Sequence, residues 1–378
     1  MRVVVAIDSF KGSLSSLQAG GAVKEAIHRL YQDAEVIVKP LADGGEGTVE
    51  ALASGFDSEM IEKVVCGPLM NPIKAQYCIL KHTNTAVIEM AAASGITLIS
   101  PEERNPLKTT TYGVGELILD AIDRGCRRFI IGIGGSATND GGTGMLSALG
   151  FEFLDQGNKP IPQGAEGLKN LCKISTENVL PQLAECTFHI ACDVKNPLCG
   201  KNGCSWIYGP QKGATPEMIC QMDAWLENYA EITKTVSAKA DKNYEGAGAA
   251  GGLGFAFLSF TNAILQSGID IVLQEIKIEE DIQSADIVVT GEGRLDSQTV
   301  MGKAPIGVAK LAKKYGKKVI AFCGCATADA DVCNDHGIDA FFPVLRSVTT
   351  LEEALDVKNA YDNLRATAYQ VFRLIEET

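Results

Sequence analysis

Four stretches of this 378-residue sequence end an apolar, strand-forming run on an acid, and three of them carry a base close by. RVVVAID leads into Asp8-Ser9-Phe10-Lys11, and AEVIVKPLAD into Asp43-Gly44-Gly45-Glu46-Gly47. FHIACDVKNPL delivers Asp193 and Lys195, and DIVVTGEGRLDS delivers Glu292, Arg294 and Asp296, with Lys303 seven residues on. One acid after a strand is often only a helix N-cap. Four such ends, with bases among them, ask for more. Convergent carboxylates have two natural tasks, holding Mg²⁺ through oxygen and taking a proton from an attacking hydroxyl. Lysine and arginine among them suit a phosphate or a substrate carboxylate.

A fifth stretch has almost no side chains. GIGGSATNDGGTG, residues 132–144, holds six glycines in thirteen positions after the apolar run RFIIGI and before MLSALG. Bare backbone between a strand and a helix presents amides and a helix dipole to an anion. Such a nest can hold phosphate without a cation beside it, which accounts for the missing lysine and arginine. Residues 134–142 are therefore expected to hold an anion or nucleotide phosphates, with Gly134, Gly135, Ser136, Asn139 and Gly141 as contacts, the alternative being a tight turn packed against a neighbouring helix. A second glycine run, EGAGAAGGLGFAF, offers Gly251 and Gly252 either as a further wall of that site or as points of close helix packing. Bare amide loops with acids and bases at strand ends are the parts of phosphoryl transfer, which needs positioning and charge neutralisation.

Gly132, Gly134 and Ala137, with Glu152 twenty residues past Gly132, also satisfy the dinucleotide fingerprint. The helix it requires is broken by the turn formers NDGG. An NAD(P)-dependent oxidoreductase of a small hydroxy acid is thus the alternative, and a non-catalytic nucleotide sensor a third option. No G-x-x-x-x-G-K-[ST] occurs, so a Walker-type NTPase is excluded. The four histidines are dispersed, and His189, Cys192, Cys199 and Cys204 match no familiar zinc spacing.

The elements that must position these groups follow from periodicity. Continuous apolar strands alternating with amphipathic helices predict a parallel sheet covered on both faces. LSSLQAGGAVKEAIHRL places Leu14, Leu17, Val23, Ala26, Ile27 and Leu30 on one helical face. From Ala285 onward, strand and helix alternate regularly, whereas CGPLMNPIKAQYCILKHTNTAVIEM reads as antiparallel strands turning at Pro68 and Asn71-Pro72. The expected fold is α/β: a doubly wound, mostly parallel Rossmann-like domain built from residues 1–62 and 280–378, with a mixed α/β domain, 63–279, inserted between them.

A formal net charge of −13 repels nucleic acid and anionic membrane, so neither is expected as a partner. Twelve scattered cysteines without a secretory leader suit reduced thiols, hence a cytoplasmic protein. The uncharged run 246–269 is long enough to cross a bilayer, but its glycines, Asn262 and Gln266 favour a buried helix. Assembly is left open, a homodimer included.

The segments VVAIDSFKGSLSS, PLADGGEGTVEAL, GIGGSATNDGGTGM, ACDVKNPLCG, GAGAAGGLGFA and TGEGRLDSQTVMGKAP resemble, in this order, the signature segments of the bacterial glycerate kinase type 1 family. The resemblance runs over nearly the whole chain. It implies an ATP- and Mg²⁺-dependent kinase acting on D-glycerate, with 2-phosphoglycerate as product and 3-phosphoglycerate left open. It also implies two α/β domains with the active site in the cleft between them. On that footing Asp193, Glu292 and Asp296 are candidates for Mg²⁺ and for the base, Asp193 first for the base. Lys11, Arg294 and Lys303 would neutralise the glycerate carboxylate and the moving phosphoryl group. Asp8, Asp43 and Glu46 would hydrogen-bond substrate hydroxyls.

Overall fold

The structure is a computed structural model that describes residues 1–42 and 47–376. Asp43 and Glu46 lie outside the described residues. Along the chain the strands are β1 (Arg2–Ile7), β2 (Glu35–Val38), β3 (Ser58–Cys66), β4 (Pro72–Leu80), β5 (Thr85–Glu89), β6 (Arg128–Gly132) and β7 (Glu152–Leu154). They continue as β8 (Lys173–Ser175), β9 (Thr187–Ala191), β10 (Ala263–Gln266), β11 (Ile287–Leu295), β12 (Lys318–Ala326) and β13 (Ala340–Pro343). The chain divides into two compact units, Met1–Phe56 with Ile269–Thr378, and Asp57–Gly268.

The first unit holds a five-stranded sheet in the order β13-β12-β11-β1-β2, parallel at every pairing. Parallel strands buried on both faces need apolar residues at every position, and Val3 to Ile7 are all fully buried. Val3, Val5 and Ile7 share one core with Val23, Ile27, Leu364 and Phe372 from the helices Ser16–His28 and Val357–Glu376. The helix Ala304–Lys314 packs on β11 and β12. The helix Ser16–His28 starts two residues after Leu14, the first residue of the expected helical face, which instead bridges Phe10. Ser15 caps it, accepting from the Gln18 amide at 3.3 Å, while the Gln18 side chain accepts from the Ser15 amide at 2.9 Å.

The second unit is built on a six-stranded mixed sheet, order β10-β9-β6-β5-β4-β3. β3, β4 and β5 form the antiparallel meander, closed between β3 and β4 where Gly67 donates to the Asn71 carbonyl at 2.7 Å. β5, β6, β9 and β10 run parallel. A ribbon of β7 and β8 stands apart from this sheet. Phe129 stacks on Phe188 at 4.8 Å between centroids, and Phe257 of the buried helix Ala249–Phe260 meets Phe188 at 5.6 Å. That helix belongs to the uncharged run 246–269, and no described helix is long and apolar enough to cross a membrane.

Both unit boundaries differ from the expected positions near 62 and 280. β3 already starts at Ser58 and pairs with β4 along its whole length, which draws 57–62 into the second unit. At the other end, Ile269 packs where a Cβ on Gly307 would lie 2.4 Å away, and the helix Ile278–Ser284 packs against β1. Sequence pattern marks elements well but says little about which sheet an edge residue joins.

Candidate functional site

In the first unit the chain leaves β1 toward β2 on one side and β11 toward β12 on the other, so the strand order reverses between β1 and β11. The carboxyl ends of strands at such a point form the usual ligand crevice of an open parallel sheet. Ile7 pairs with Gly291, so Asp8, just past the end of β1, lies beside Glu292, which is still within β11 and pairs with Cys323 of β12. The Asp8 amide donates to the Gly291 carbonyl at 2.9 Å, and its carboxylate accepts from the Ser9 amide at 2.7 Å. Phe10 and Leu14 are buried and bridge each other, which leaves Lys11 exposed at the tip of a tight turn. Ser16 then ties the neighbouring strand ends together, donating to the Ile7 carbonyl at 2.6 Å and accepting from the Leu41 amide at 2.8 Å.

Glu292 is 9% exposed, and its Oε1 accepts from Thr299 Oγ1 at 2.7 Å. Lys303 Nζ lies 3.5 Å from Glu292 and 3.9 Å from Asp296, and Arg294 Nε lies 3.3 Å from Asp296. Burial pushes the Glu292 carboxyl above its ordinary value, while the Thr299 hydrogen bond and the Lys303 charge pull it back. Asp8, Lys11, Glu292, Arg294, Asp296 and Lys303 thus gather at one edge of this sheet. Two carboxylates flanked by cations can share a divalent cation or fix a polyanion.

Asp193 belongs elsewhere. It follows β9 in the second unit's sheet, exposed, with its Oδ1 accepting from the Gly268 amide at 3.2 Å. Lys195, two residues on, pairs with Glu245 at 3.2 Å. Among the described residues, Asp8 and Glu292 therefore belong to one sheet and Asp193 to the other.

The glycine turn follows β6, next to β9. Only its head is open: Gly134 and Gly135 are exposed, and a Cβ on Gly134 would meet nothing within 4 Å. From Ser136 to Gly142 the turn is buried. The Gly141 amide donates to the Gly251 carbonyl at 2.9 Å. The amides of Gly142 and Gly144 donate to Asp140 at 3.1 and 3.3 Å, and the Thr111 amide and hydroxyl donate to the same carboxylate at 2.8 and 2.9 Å. Asn139 is fully buried, its Nδ2 donating to Ser205 Oγ at 2.9 Å.

Gly251 and Gly252 are points of close packing, the second of the two uses open from sequence. Their φ values of +68° and +95° fall in the left-handed region, and a Cβ on Gly251 would sit 2.0 Å from the Thr138 carbonyl oxygen. Asn139, Gly141, Gly251 and Gly252 therefore shape the turn from within. The dinucleotide fingerprint is not realised either. The helix after β6 starts only at Thr143, and Glu152 lies in β7.

The missing cation is present after all, supplied from below. Lys212, 2% exposed, donates from Nζ to Ser136 Oγ and to the Thr138 carbonyl, both at 2.7 Å. Nothing in the stretch GPQKG marked this lysine as buried, since the contact spans more than seventy residues. Asp140 and Thr299 were missed too. Each is a small polar residue whose task shows only in its long-range partners.

Comparison with known proteins places the chain. The sequence profile described as the Glycerate kinase family matches residues 3–376. The chain belongs to that family. It is 48% identical to a glycerate kinase of Haemophilus influenzae, over 99% of both chains. It is 47% identical to a glycerate 2-kinase of Escherichia coli, covering 96% of this chain and 95% of the relative. A solved structure from Salmonella typhimurium LT2, described provisionally as a glycerate kinase 2, superposes with a TM-score of 0.92 at 45% identity, over 100% of this chain and 98% of the other. The fold is accordingly mixed α/β with parallel sheets, and enzymes of this family are phosphotransferases. Nothing in these likenesses supports the oxidoreductase alternative.

Proposed function

We propose that this protein transfers the γ-phosphoryl group of ATP to a hydroxyl of D-glycerate, giving 2-phosphoglycerate. The observation that carries the proposal is the group of carboxylates and cations at the switch point of the parallel sheet, Glu292 and Asp296 with Arg294 and Lys303 beside Asp8 and Lys11, in a chain of this family. Phosphoryl transfer asks a protein for positioning and charge neutralisation. Lys11, Arg294 and Lys303 neutralise the acceptor carboxylate and the phosphoryl oxygens. Asp8 holds an acceptor hydroxyl, a task shared with Asp43 and Glu46. The exposed Gly134–Gly135 head, with the Ser136 amide behind it, receives nucleotide phosphates through backbone N–H groups.

Mg²⁺ suits the donor set. It is usually bound through one or two carboxylates together with substrate phosphates and water, and the charge of Asp296 adds to burial in raising the proton affinity of Glu292. They would hold the ion, with Asp193 as a further candidate, and the ion would supply charge compensation for the phosphates. Asp193 is exposed after β9 and is assigned as the base that takes the acceptor's hydroxyl proton.

A coupled assay for ADP release with ATP, Mg²⁺ and D-glycerate tests the activity, and NMR of the product identifies the phosphorylated hydroxyl. ADP formation dependent on D-glycerate, with phosphate on the 2-hydroxyl, is expected. Binding of ATP without its consumption would overturn the proposal in favour of a sensor.

A further inference from the structure

Lys212 closes the short turn Pro210–Lys212 and is sealed inside the second unit. A buried ammonium is costly unless hydrogen-bonded and opposed by negative charge. Its two acceptors both lie on the glycine turn, at Ser136 Oγ and the Thr138 carbonyl. Its own segment is locked in place. Gly213, at φ +90°, packs so closely that a Cβ there would lie only 2.3 Å from the Arg104 carbonyl oxygen, so the backbone carrying the lysine lies tight against that segment. The turn above is short of partners: Thr138 Oγ1 and Asn139 Oδ1 are buried without a hydrogen bond. Such a turn depends heavily on the bonds it does make.

We propose that Lys212 is a positioning residue for phosphoryl transfer, its ammonium holding the glycine turn from inside so that the Gly134–Gly135 head is presented to the nucleotide phosphates. This rests on the assignment of that head under Proposed function. Lys212 itself touches no substrate.

The chemistry of the pocket makes the arrangement sensitive to pH. Burial pushes the Lys212 ammonium down from 10.5 to about 8, against the opposing pull of Cys204 and Asp140. Cys204 opens the helix Cys204–Tyr208, and Asp140 belongs to the turn. Farther out, Asp223 acts on Cys204 and Tyr229 faces Asp140 from the helix Pro216–Thr233, while Arg104 is the charged residue packed on Gly213. Once deprotonated, the amine still donates but no longer balances Asp140, so the head is held less firmly even though shedding the buried charge favours the fold as a whole.

The test is steady-state kinetics between pH 6.5 and 9.5 on wild type, Lys212→Arg, Lys212→Met and Gly134→Ala, with tryptophan fluorescence as the check of folding. Lys212→Met is expected to raise the KM for ATP at least tenfold while the KM for D-glycerate stays within twofold. In wild type, kcat/KM for ATP falls as pH rises through about 8. Lys212→Arg, protonated throughout, moves that alkaline limb up by at least one pH unit. A folded Lys212→Met enzyme with the wild-type KM for ATP overturns the proposal, as does an alkaline limb that stays in place in Lys212→Arg. If Lys212→Met does not fold, the limb in Lys212→Arg decides. Gly134→Ala separates the two layers. Wild-type kinetics there overturn the assignment of the head, whereas an impaired Gly134→Ala beside normal Lys212 variants overturns the role of the lysine alone.

Discussion

Replacing Gly251 by alanine adds one carbon where two stretches of backbone cross. The new Cβ would lie 2.0 Å from the Thr138 carbonyl oxygen and 2.6 Å from Asn139 Cα. Both obstacles are backbone, so no rotamer change relieves them. The left-handed φ of +68° adds a cost of roughly 1–2 kcal/mol for any L side chain. Overpacking a tight site typically costs about 1–3 kcal/mol, so Gly251→Ala should lose about 2–5 kcal/mol. The chain's two tryptophans, Trp206 and Trp225, both lie within 57–268, so their fluorescence reports unfolding of this unit. With a urea slope of about 2–3 kcal/mol per M, the midpoint should fall by about 1–2 M. Gly134→Ala is the matched control. Its Cβ meets nothing within 4 Å, so its stability should stay within about 0.5 kcal/mol of wild type while its KM for ATP rises at least tenfold. A Gly251→Ala protein as stable as wild type, or a Gly134→Ala protein that unfolds early with unchanged kinetics, would refute the division between packing and presenting glycines.

Three further outcomes are expected. Asp193→Asn should lower turnover by roughly 10²–10⁴ with the KM values largely kept, if it takes the hydroxyl proton; unchanged turnover in steady-state assays removes it from the chemistry. Thr299→Val deletes the hydrogen bond that holds the Glu292 carboxyl down against its burial, so the acid limb of the pH–rate profile should move to higher pH; a limb that stays put shows that Glu292 is not the titrating group. Between about 8 and 10.5 the unfolded chain holds a proton on Lys212 that the folded protein has released, so this residue makes stability rise with pH, by at most about 3 kcal/mol. Urea midpoints across that range should therefore climb more steeply in wild type than in Lys212→Met, and equal slopes would contradict the buried position of the charge.

Most of the strand-end chemistry was legible as sequence. Asp8 with Lys11, and Glu292 with Arg294 and Asp296, follow apolar runs directly, so strand and functional group are read from one contiguous window. The helix over Ser16–His28 is legible from its periodicity, but its start is not: the expected face begins at Leu14, whereas the Ser15–Gln18 capping pair sets the start. The glycine turn is visible as a turn, and its composition fits both an anion site and a turn packed on a neighbouring element. Glycine permits close approach by a ligand or by another piece of the same chain, and composition does not distinguish them. In the folded chain the Gly141 amide donates to the Gly251 carbonyl.

Periodicity and short motifs thus carried what is held within a few residues: strand identity, helical faces, and an acid or a base at a strand end. The partner of each group across the fold came from the packed chain alone. Lys212 lies 74 residues from Thr138 and 76 from Ser136, and Asp140 gathers donors from Thr111 as well as from its own turn. Such contacts arise when separate elements are buried against each other and their polar atoms must find partners inside. A local window contains only one side of that pairing, so burial, charge balance and the pKa of Lys212 exist only once the second side has folded against it.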